Sequence, residues 1–164
     1  MIFAHGAIKI GWPVSMGPAR GLAALQGVAG WFASLGFRPA LFWAVAAFVG
    51  EFVGGLLVVL GLGGPIGPAL VFGDIIVVTL VAHVPNGFWV NANGWEFPIL
   101  LLAGGFALAL TGFGAWSIDR ALGLTYPEWL TPTALVVTAA GAALLLVIRA
   151  TRRTTTSSEP PAAS

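Results

Sequence analysis

The chain has 164 residues, of which 58% are hydrophobic and 8% are charged, and its formal net charge is +1. Soluble domains carry roughly 25% charged residues, so this composition excludes a water-soluble fold and also a broad basic surface for nucleic acid. The absence of cysteine excludes disulfides, thiol redox catalysis and cysteine-bound metal sites within this chain.

The first segment, Met1–Ile10, is apolar but short. Ten helical residues extend about 15 Å, roughly half of the hydrocarbon core of a bilayer. The segment lacks the basic start and the small-residue cleavage site of a signal peptide. We interpret it as the end of a first helix whose beginning is missing, as a start codon assigned too far downstream would produce. A short half-inserted segment is the alternative.

The next stretch, Gly11–Arg38, repeats apolar residues at spacings of three and four. This period fits a helix lying in the plane of the membrane interface, and Trp12 and Trp31 suit the headgroup level. A re-entrant loop is the alternative interpretation. The repeating positions are Leu22, Leu25, Val28, Ala29, Phe32 and Leu35.

Four later segments are long and apolar enough to cross a bilayer as helices. A transmembrane helix needs about 20 mostly apolar residues, and lipid offers no partner to a free backbone N–H or C=O group. The fold class predicted is therefore all-α, a polytopic bundle of transmembrane helices with the lipid bilayer as its surroundings. The four segments are Pro39–Leu62, Pro65–Ala82, Phe97–Trp116 and Pro132–Ile148.

The basic residues predict the orientation of the bundle. Arg149, Arg152 and Arg153 follow the last helix, so the positive-inside rule places the C-terminus in the cytoplasm. Alternation back through five helices then places Gly11–Arg38 and Val84–Glu96 on the cytoplasmic side. The polar tail, residues 151–164, is rich in Thr, Ser and Pro, which predicts a disordered cytoplasmic segment.

Glu51 interrupts the first long span, and a charge within a membrane is costly. On a helix Glu51 shares a face with Gly50, Gly54 and Gly61, and a G-x-x-x-G spacing permits close helix packing. Glu51 is therefore expected to face protein.

His5 and Lys9, four residues apart, share a face of the first helix. We predict a polar cluster of His5, Lys9 and Glu51, with Glu96 as a further member. The alternatives are pairing that only holds the helices together and a functional site for a proton, a quinone or another ligand.

Two other polar residues are secondary candidates. Asp74 is a second intramembrane acid, expected to pair, to bond Thr79 or Thr111, or to lie at a shallow position. His83 could join His5 as a haem ligand, but two interfacial histidines with hydrogen-bond partners are the expected interpretation. The chain has no metal-protease, dinucleotide or P-loop motif, so no metal and no cofactor are predicted, with quinone as the one open possibility.

Several short motifs follow one another in a fixed order and spacing. They are His5-Gly6 with Lys9, Glu51 with Gly54-Gly55 and Gly61, Pro85-Asn86-Gly87-Phe88 with Glu96-Phe97-Pro98, and Gly112-Phe113-Gly114 with Ser117-Ile118-Asp119.

In this arrangement the chain resembles the DoxX family of small bacterial membrane proteins, from its first residue to about Asp119. The resemblance implies a four-helix bundle in the cytoplasmic membrane, a respiratory or redox-linked role, and Ser117 and Asp119 as further site candidates. Residues 1–119 would form this bundle with an incomplete first helix, residues 120–150 an additional helix, and residues 151–164 the tail. The short first helix and the additional helix depart from the family pattern.

Three functions follow from these observations. The leading one is an accessory or scaffolding subunit of a redox- or respiration-linked membrane complex, whose inner loops dock a membrane or cytoplasmic redox partner and which itself catalyses nothing. The second is a small quinone-reactive oxidoreductase with Glu51 and His5 as proton carriers. The third is a proton-coupled transporter of a small solute, for which two intramembrane acids would be suited.

Overall fold

The computed structural model describes residues 1–12 and 19–157, with side chains described as far as Thr151. All the regular elements in those ranges are helical, which confirms the all-α prediction. The helices are α1 (Ile2–Lys9), α2 (Leu22–Ser34), α3 (Ala40–Leu60), α4 (Ile66–Asn86), α5 (Glu96–Thr111), α6 (Ile118–Ala121) and α7 (Leu130–Ser157).

Three of these helices, α3, α4 and α7, are long and apolar enough to cross a membrane. Each falls on a predicted span. The predicted span Phe97–Trp116 is different, because α5 covers 16 residues and ends at Thr111. Gly112 follows with a φ of 73°, a backbone conformation that cannot continue a right-handed helix. At about 24 Å, α5 is shorter than a full span.

The stretch Gly11–Arg38 contains α2, as the apolar period predicts. Leu25, Ala29 and Phe32 are buried, and Ala29 and Phe32 pack with residues of α3, α4 and α7 in one core cluster. The apolar stripe therefore contacts protein, and its position in the plane of the interface stays a prediction. Residues 13–18 of this stretch lie outside the described part of the chain.

Predicted packing glycines lie where α3 meets its neighbours. A Cβ atom at Gly54 would lie 3.0 Å from Leu70 Cβ on α4. A Cβ atom at Gly55 would lie 2.5 Å from the backbone nitrogen of Phe3 on α1, closer than real Cβ contacts allow. Any larger side chain at these glycines would push α1 or α4 away from α3, so the bundle depends on their small size.

Two long-range contacts show which loops share an end of the bundle. At one end, the Asp119 backbone N–H donates to Gly61 O at 3.0 Å. At the other end, Arg149 Nε donates to Leu35 O at 2.8 Å, and its guanidinium lies 5.4 Å from the Phe37 ring centroid. The end of the last span thus adjoins Gly11–Arg38, as the alternation of helices predicts.

The C-terminal helix is longer than predicted. It runs to Ser157, and the disorder predicted for residues 151–164 stays a prediction. The remainder of the predicted tail, residues 158–164, lies outside the described residues. Helix α7 packs against α4. The side chain of Thr138 lies so close to Gly73 that a Cβ atom there would be 2.8 Å from Thr138 Cβ.

Candidate functional site

An ion pair between α1 and α3 forms the centre of the candidate site. Gly6 allows α1 to touch the backbone of Phe52, and this approach brings Lys9 onto α3. Lys9 Nζ lies 2.9 Å from Glu51 Oε2, with side-chain exposures of 15% and 7%. The contact is an ion pair by distance, although its angles are not those of a hydrogen bond. The structure therefore joins two residues of the predicted cluster.

Glu51 belongs to a local irregularity of α3. Residues Val49–Val53 form a π-helical segment within the α-helix. A π-bulge widens one turn and rotates the side chains that follow it, and such segments often occur at functional sites. Glu51 lies in this segment and is 6% exposed, although it is midway along an apolar span.

Asp74 on α4 is a third member of the cluster. Gly50 lies directly against it, since a Cβ atom at Gly50 would be 3.0 Å from Asp74 Cβ. The Asp74 carboxylate interacts with the charges of both Glu51 and Lys9. Its Oδ2 atom is buried and has no hydrogen-bond partner among the described residues. Of the alternatives given for Asp74, pairing with other charged groups is the one that agrees with this position.

The threonine alternatives for Asp74 are wrong. The hydroxyl of Thr79 donates to the backbone carbonyl of Ile75, and that of Thr111 donates to Ala107 O at 3.0 Å. Both are bonds within one helix, between residues four apart. Each hydroxyl hydrogen is therefore donated to a carbonyl of its own helix and is not available to the Asp74 carboxylate.

The three charged groups lie at the polar part of a cavity of roughly 820 Å³. Helices α1, α2, α3, α4 and α7 all contribute to its walls, and most of its surface is apolar. His5 lines the cavity beside Lys9. A volume of this size is in the range of small-molecule sites, which are mostly apolar with a few polar groups. The arrangement can therefore accommodate an apolar ligand with one polar or charged group.

Two predicted site residues lie elsewhere. Glu96 Oε2 accepts a hydrogen bond from Val90 N–H at 2.9 Å, so this side chain bonds its own loop and is not part of the cluster. His83 Nδ1 donates to Asn93 O at 2.9 Å, in keeping with a hydrogen-bonded interfacial histidine. Neither residue lines the cavity, and the described residues contain no group of three His, Asp or Glu side chains that could hold a metal.

A second, separate carboxylate cluster surrounds Asp119 at the turn between α3 and α4. Asp119 Oδ1 accepts from Gly63 N–H at 2.9 Å and from Tyr126 Oη at 2.8 Å, and Oδ2 accepts from Gly64 N–H at 2.7 Å. Ser117, also predicted, begins α6 by accepting from Arg120 N–H at 3.2 Å. We call Asp119, Gly63, Gly64 and Tyr126 the Asp119 lock.

The electrostatics of the Asp119 lock follow from its hydrogen bonds. Partial burial alone would raise the pKa of Asp119, but the bonds from Gly63, Tyr126 and Gly64 outweigh it and hold that pKa below its usual value. Burial and the bond to the Asp119 carboxylate raise the pKa of the Tyr126 hydroxyl. Both shifts favour the charged carboxylate with a neutral phenol, which is the arrangement of a structural link.

The sequence did not indicate two parts of these sites. The sequence indicates a turn at Gly63–Gly64 but not its contact with Asp119 and Tyr126, because that contact joins segments more than 50 residues apart. The wall formed by α7 was also missed, although Thr138, Gly141 and Leu145 recur at spacings of three and four. That period could have indicated one packed face.

Comparison with known proteins gives a match in the first half of the chain. A family model described as DoxX matches residues 1–84. No curated protein and no solved structure matches the chain significantly. The matched region contains Lys9, Glu51 and Asp74, whereas Asp119 and α7 lie beyond it.

Proposed function

The chain belongs to the DoxX family, and from this membership we propose that it is an accessory membrane subunit of a redox- or respiration-linked complex. Its place is the cytoplasmic membrane, with the C-terminus in the cytoplasm. Under this proposal the chain catalyses no reaction itself, and its inner loops, Gly11–Arg38 and Val84–Glu96, contact a redox partner protein.

One observation on α5 carries the accessory role. Ala103, Gly104, Ala107 and Thr111 lie on one side of this helix and are all exposed. The opposite side packs against α4 and α7 through Ala109. Within membranes, helices associate through small residues that let their backbones approach closely. A small-residue face turned away from its own bundle is therefore suited to a helix of another subunit.

The length of α5 agrees with this role. At 16 residues it does not cover the hydrocarbon core alone. A short helix is accommodated by local thinning of the bilayer or by oligomerisation. Contact with a partner helix would remove part of this mismatch.

The proposal is tested by enlarging the α5 face. We expect the wild-type chain, extracted from native membranes in mild detergent, to co-purify with a polypeptide that carries a redox cofactor visible in its absorbance spectrum. Gly104→Leu and Ala107→Leu should each reduce the yield of that polypeptide at least about tenfold, a loss equal to about 1.4 kcal/mol of association.

The matched control is Ala143→Leu, the same enlargement at an exposed position on α7. It should leave the yield of the partner unchanged. The proposal is wrong if the wild-type chain purifies alone from membranes cross-linked before extraction, or if its stable partner holds no redox group.

The groups that line the cavity help to choose between the other two functions, the quinone-reactive oxidoreductase and the proton-coupled transporter. Quinone carbonyls accept hydrogen bonds, whereas Glu51 and Asp74 present carboxylate oxygens, which accept as well when ionised. Lys9, the donor that could serve a quinone, faces Glu51. The adjacent acids at an intramembrane cavity favour the proton-coupled transporter as the second candidate. It differs from the accessory role in requiring solute uptake by proteoliposomes that contain this chain alone.

A further inference from the structure

The charge balance of the cavity is incomplete. Glu51, Asp74 and Lys9 together carry one excess negative charge when all three are ionised. Asp74 lines the cavity, and its Oδ2 atom is buried and has no hydrogen-bond partner in the described part of the chain. A buried charge without a partner is unfavourable unless something compensates for it. The site therefore has room for one further positive charge.

The walls of the same cavity are suited to an organic cation. Trp31, Phe32, Phe37, Phe42 and Trp43 all line it. Aromatic faces attract cations, most strongly where water is excluded, and their rings also pack against an apolar body. The volume of roughly 820 Å³ would hold a molecule with several rings or chains.

The donors and acceptors distinguish between ligand classes. An anion would meet two carboxylates. A neutral ketone or quinone would bring acceptors to a site whose free oxygen is also an acceptor. A protonated amine brings N–H donors, and a quaternary cation brings charge without donors. Both match carboxylates in a cavity that aromatic rings also line.

We propose that this cavity is a binding site for lipid-soluble organic cations, with Asp74 and Glu51 receiving the positive charge and the aromatic walls holding the apolar body. This site goes beyond the accessory role and does not depend on it, because every group that forms it belongs to this chain. If no redox partner is found, the proposal of a cation site is unaffected. If no cation binds, the proposal of an accessory role is unaffected.

Binding at this site adds the positive charge that the three-residue cluster lacks when all its groups are ionised. The other titratable or charged groups near the pair are His5 and Lys9 of α1, while Arg149 stacks on Phe37 at the far end.

The test uses two probes of matched shape and opposite charge, tetraphenylphosphonium and tetraphenylborate, with decylubiquinone as a neutral third. The full-length chain is purified in dodecyl maltoside, and binding is measured by equilibrium dialysis. Tetraphenylphosphonium should bind saturably at one site. Tetraphenylborate should not bind saturably.

Two variants examine the charge and the space separately. Asp74→Asn should weaken tetraphenylphosphonium binding at least about tenfold. Gly141→Leu places a large side chain in the cavity, and a Cβ atom there meets nothing within 4 Å, so this variant should fold and block binding. Ala143→Leu, on the same helix but outside the cavity lining, should bind as the wild type does.

Three results would overturn the proposal. One is equal binding of both tetraphenyl ions, which would indicate simple partition into the micelle. Another is tetraphenylphosphonium binding that survives Gly141→Leu. The third is saturable decylubiquinone binding without cation binding, which would assign the cavity to quinones instead. If Asp74→Asn does not fold, Gly141→Leu and its control still decide the question.

Discussion

Two carboxylate sites in this molecule use the same chemical group in opposite ways. Asp119 receives three hydrogen bonds, two from backbone N–H groups and one from Tyr126. Asp74 has an oxygen with no hydrogen-bond partner among the described residues. A carboxylate whose acceptors are all used holds two segments together, whereas one with a free buried oxygen keeps an unfavourable group that a ligand or proton can satisfy.

The surroundings of the two sites reinforce this difference. The Asp119 lock lies at a turn, where α6 meets the loop between α3 and α4, and Tyr126 is partly exposed. The Lys9–Glu51–Asp74 cluster lies between helices, beside a cavity and next to a π-helical segment. Strained or unsatisfied groups persist only where the rest of the fold holds them in place, and they concentrate at functional sites. We therefore regard the first site as structural and the second as functional.

The largest expected effect comes from removing the one cation of the intramembrane cluster. Lys9→Met leaves Glu51 and Asp74 facing each other without compensation. Breaking a buried ion pair on one side costs about 3–5 kcal/mol, so the free energy of unfolding should fall by that order. The measurement is unfolding of the purified chain in mixed micelles with increasing sodium dodecyl sulfate.

The double variant Lys9→Met with Glu51→Gln serves as the control for that prediction. Removing both partners leaves no unpaired charge between them, so most of the lost stability should return. If Lys9→Met unfolds within about 0.5 kcal/mol of the wild type, the range of ordinary surface substitutions, the ion pair contributes nothing and the contrast between the two sites fails.

A smaller effect is expected at the Asp119 lock. Asp119→Ala leaves two backbone N–H groups without their acceptor, and each bond to a charged group contributes about 1.5–3 kcal/mol. Because the neighbouring Tyr126 is partly exposed and water can replace some bonds, we expect a total loss of about 2 kcal/mol. Tyr126→Phe removes one bond and should cost about 1 kcal/mol.

Ligand binding distinguishes the Asp119 lock from the Lys9–Glu51–Asp74 cluster in the two Asp119-lock variants. Tetraphenylphosphonium affinity should be unchanged in Asp119→Ala and Tyr126→Phe once the proteins are compared below their unfolding temperatures. A tenfold loss of affinity in either variant would show that the lock also shapes the cavity, and the division into structural and functional sites would no longer hold.

Much of the fold was accessible from the sequence, for a physical reason. Apolar segments bounded by proline, glycine or charge identify membrane helices because lipid tolerates no free backbone polar groups. The prediction that Glu51 faces protein rested on Gly50 and Gly54, which lie about one helical turn apart. The exception was α5, where an apolar pattern continued past Thr111 but Gly112 ended the helix.

The candidate site was only partly accessible. Lys9 and Glu51 were predicted together because each is a charge in an apolar segment and each needs a partner. Asp74 was placed apart from them, since its membership depends on how far α4 slides along α3, which the contact at Gly50 decides. Glu96 was wrongly included because the local bond to Val90 N–H satisfies it. Sequence spacing reports on one helix at a time and carries little information on register between helices.

The smallest expected effect is the pH dependence of the Asp119 lock. The pKa of Asp119 is lowered in the folded state, so the unfolded chain takes up a proton at a higher pH than the folded chain does. The stability that the carboxylate contributes is therefore fully present above its ordinary pKa of about 3.9 and is lost as the pH falls below it. The raised pKa of Tyr126 has the opposite sign: its contribution is present below about pH 10 and is lost only above that.

The comparison that isolates this effect is wild type against Asp119→Asn, unfolded at pH 6, 5, 4 and 3.5. All the other acidic residues are the same in both proteins, so their contributions cancel in the difference. We expect the wild type to be more stable at pH 6 and pH 5 by the same amount, and the difference to begin to shrink near pH 4 and to be smaller still at pH 3.5. A difference that is constant or grows on acidification would mean that Asp119 is no better hydrogen-bonded in the folded chain than in water. The hydrogen bonds of the Asp119 lock would then not explain the difference between Asp119 and Asp74.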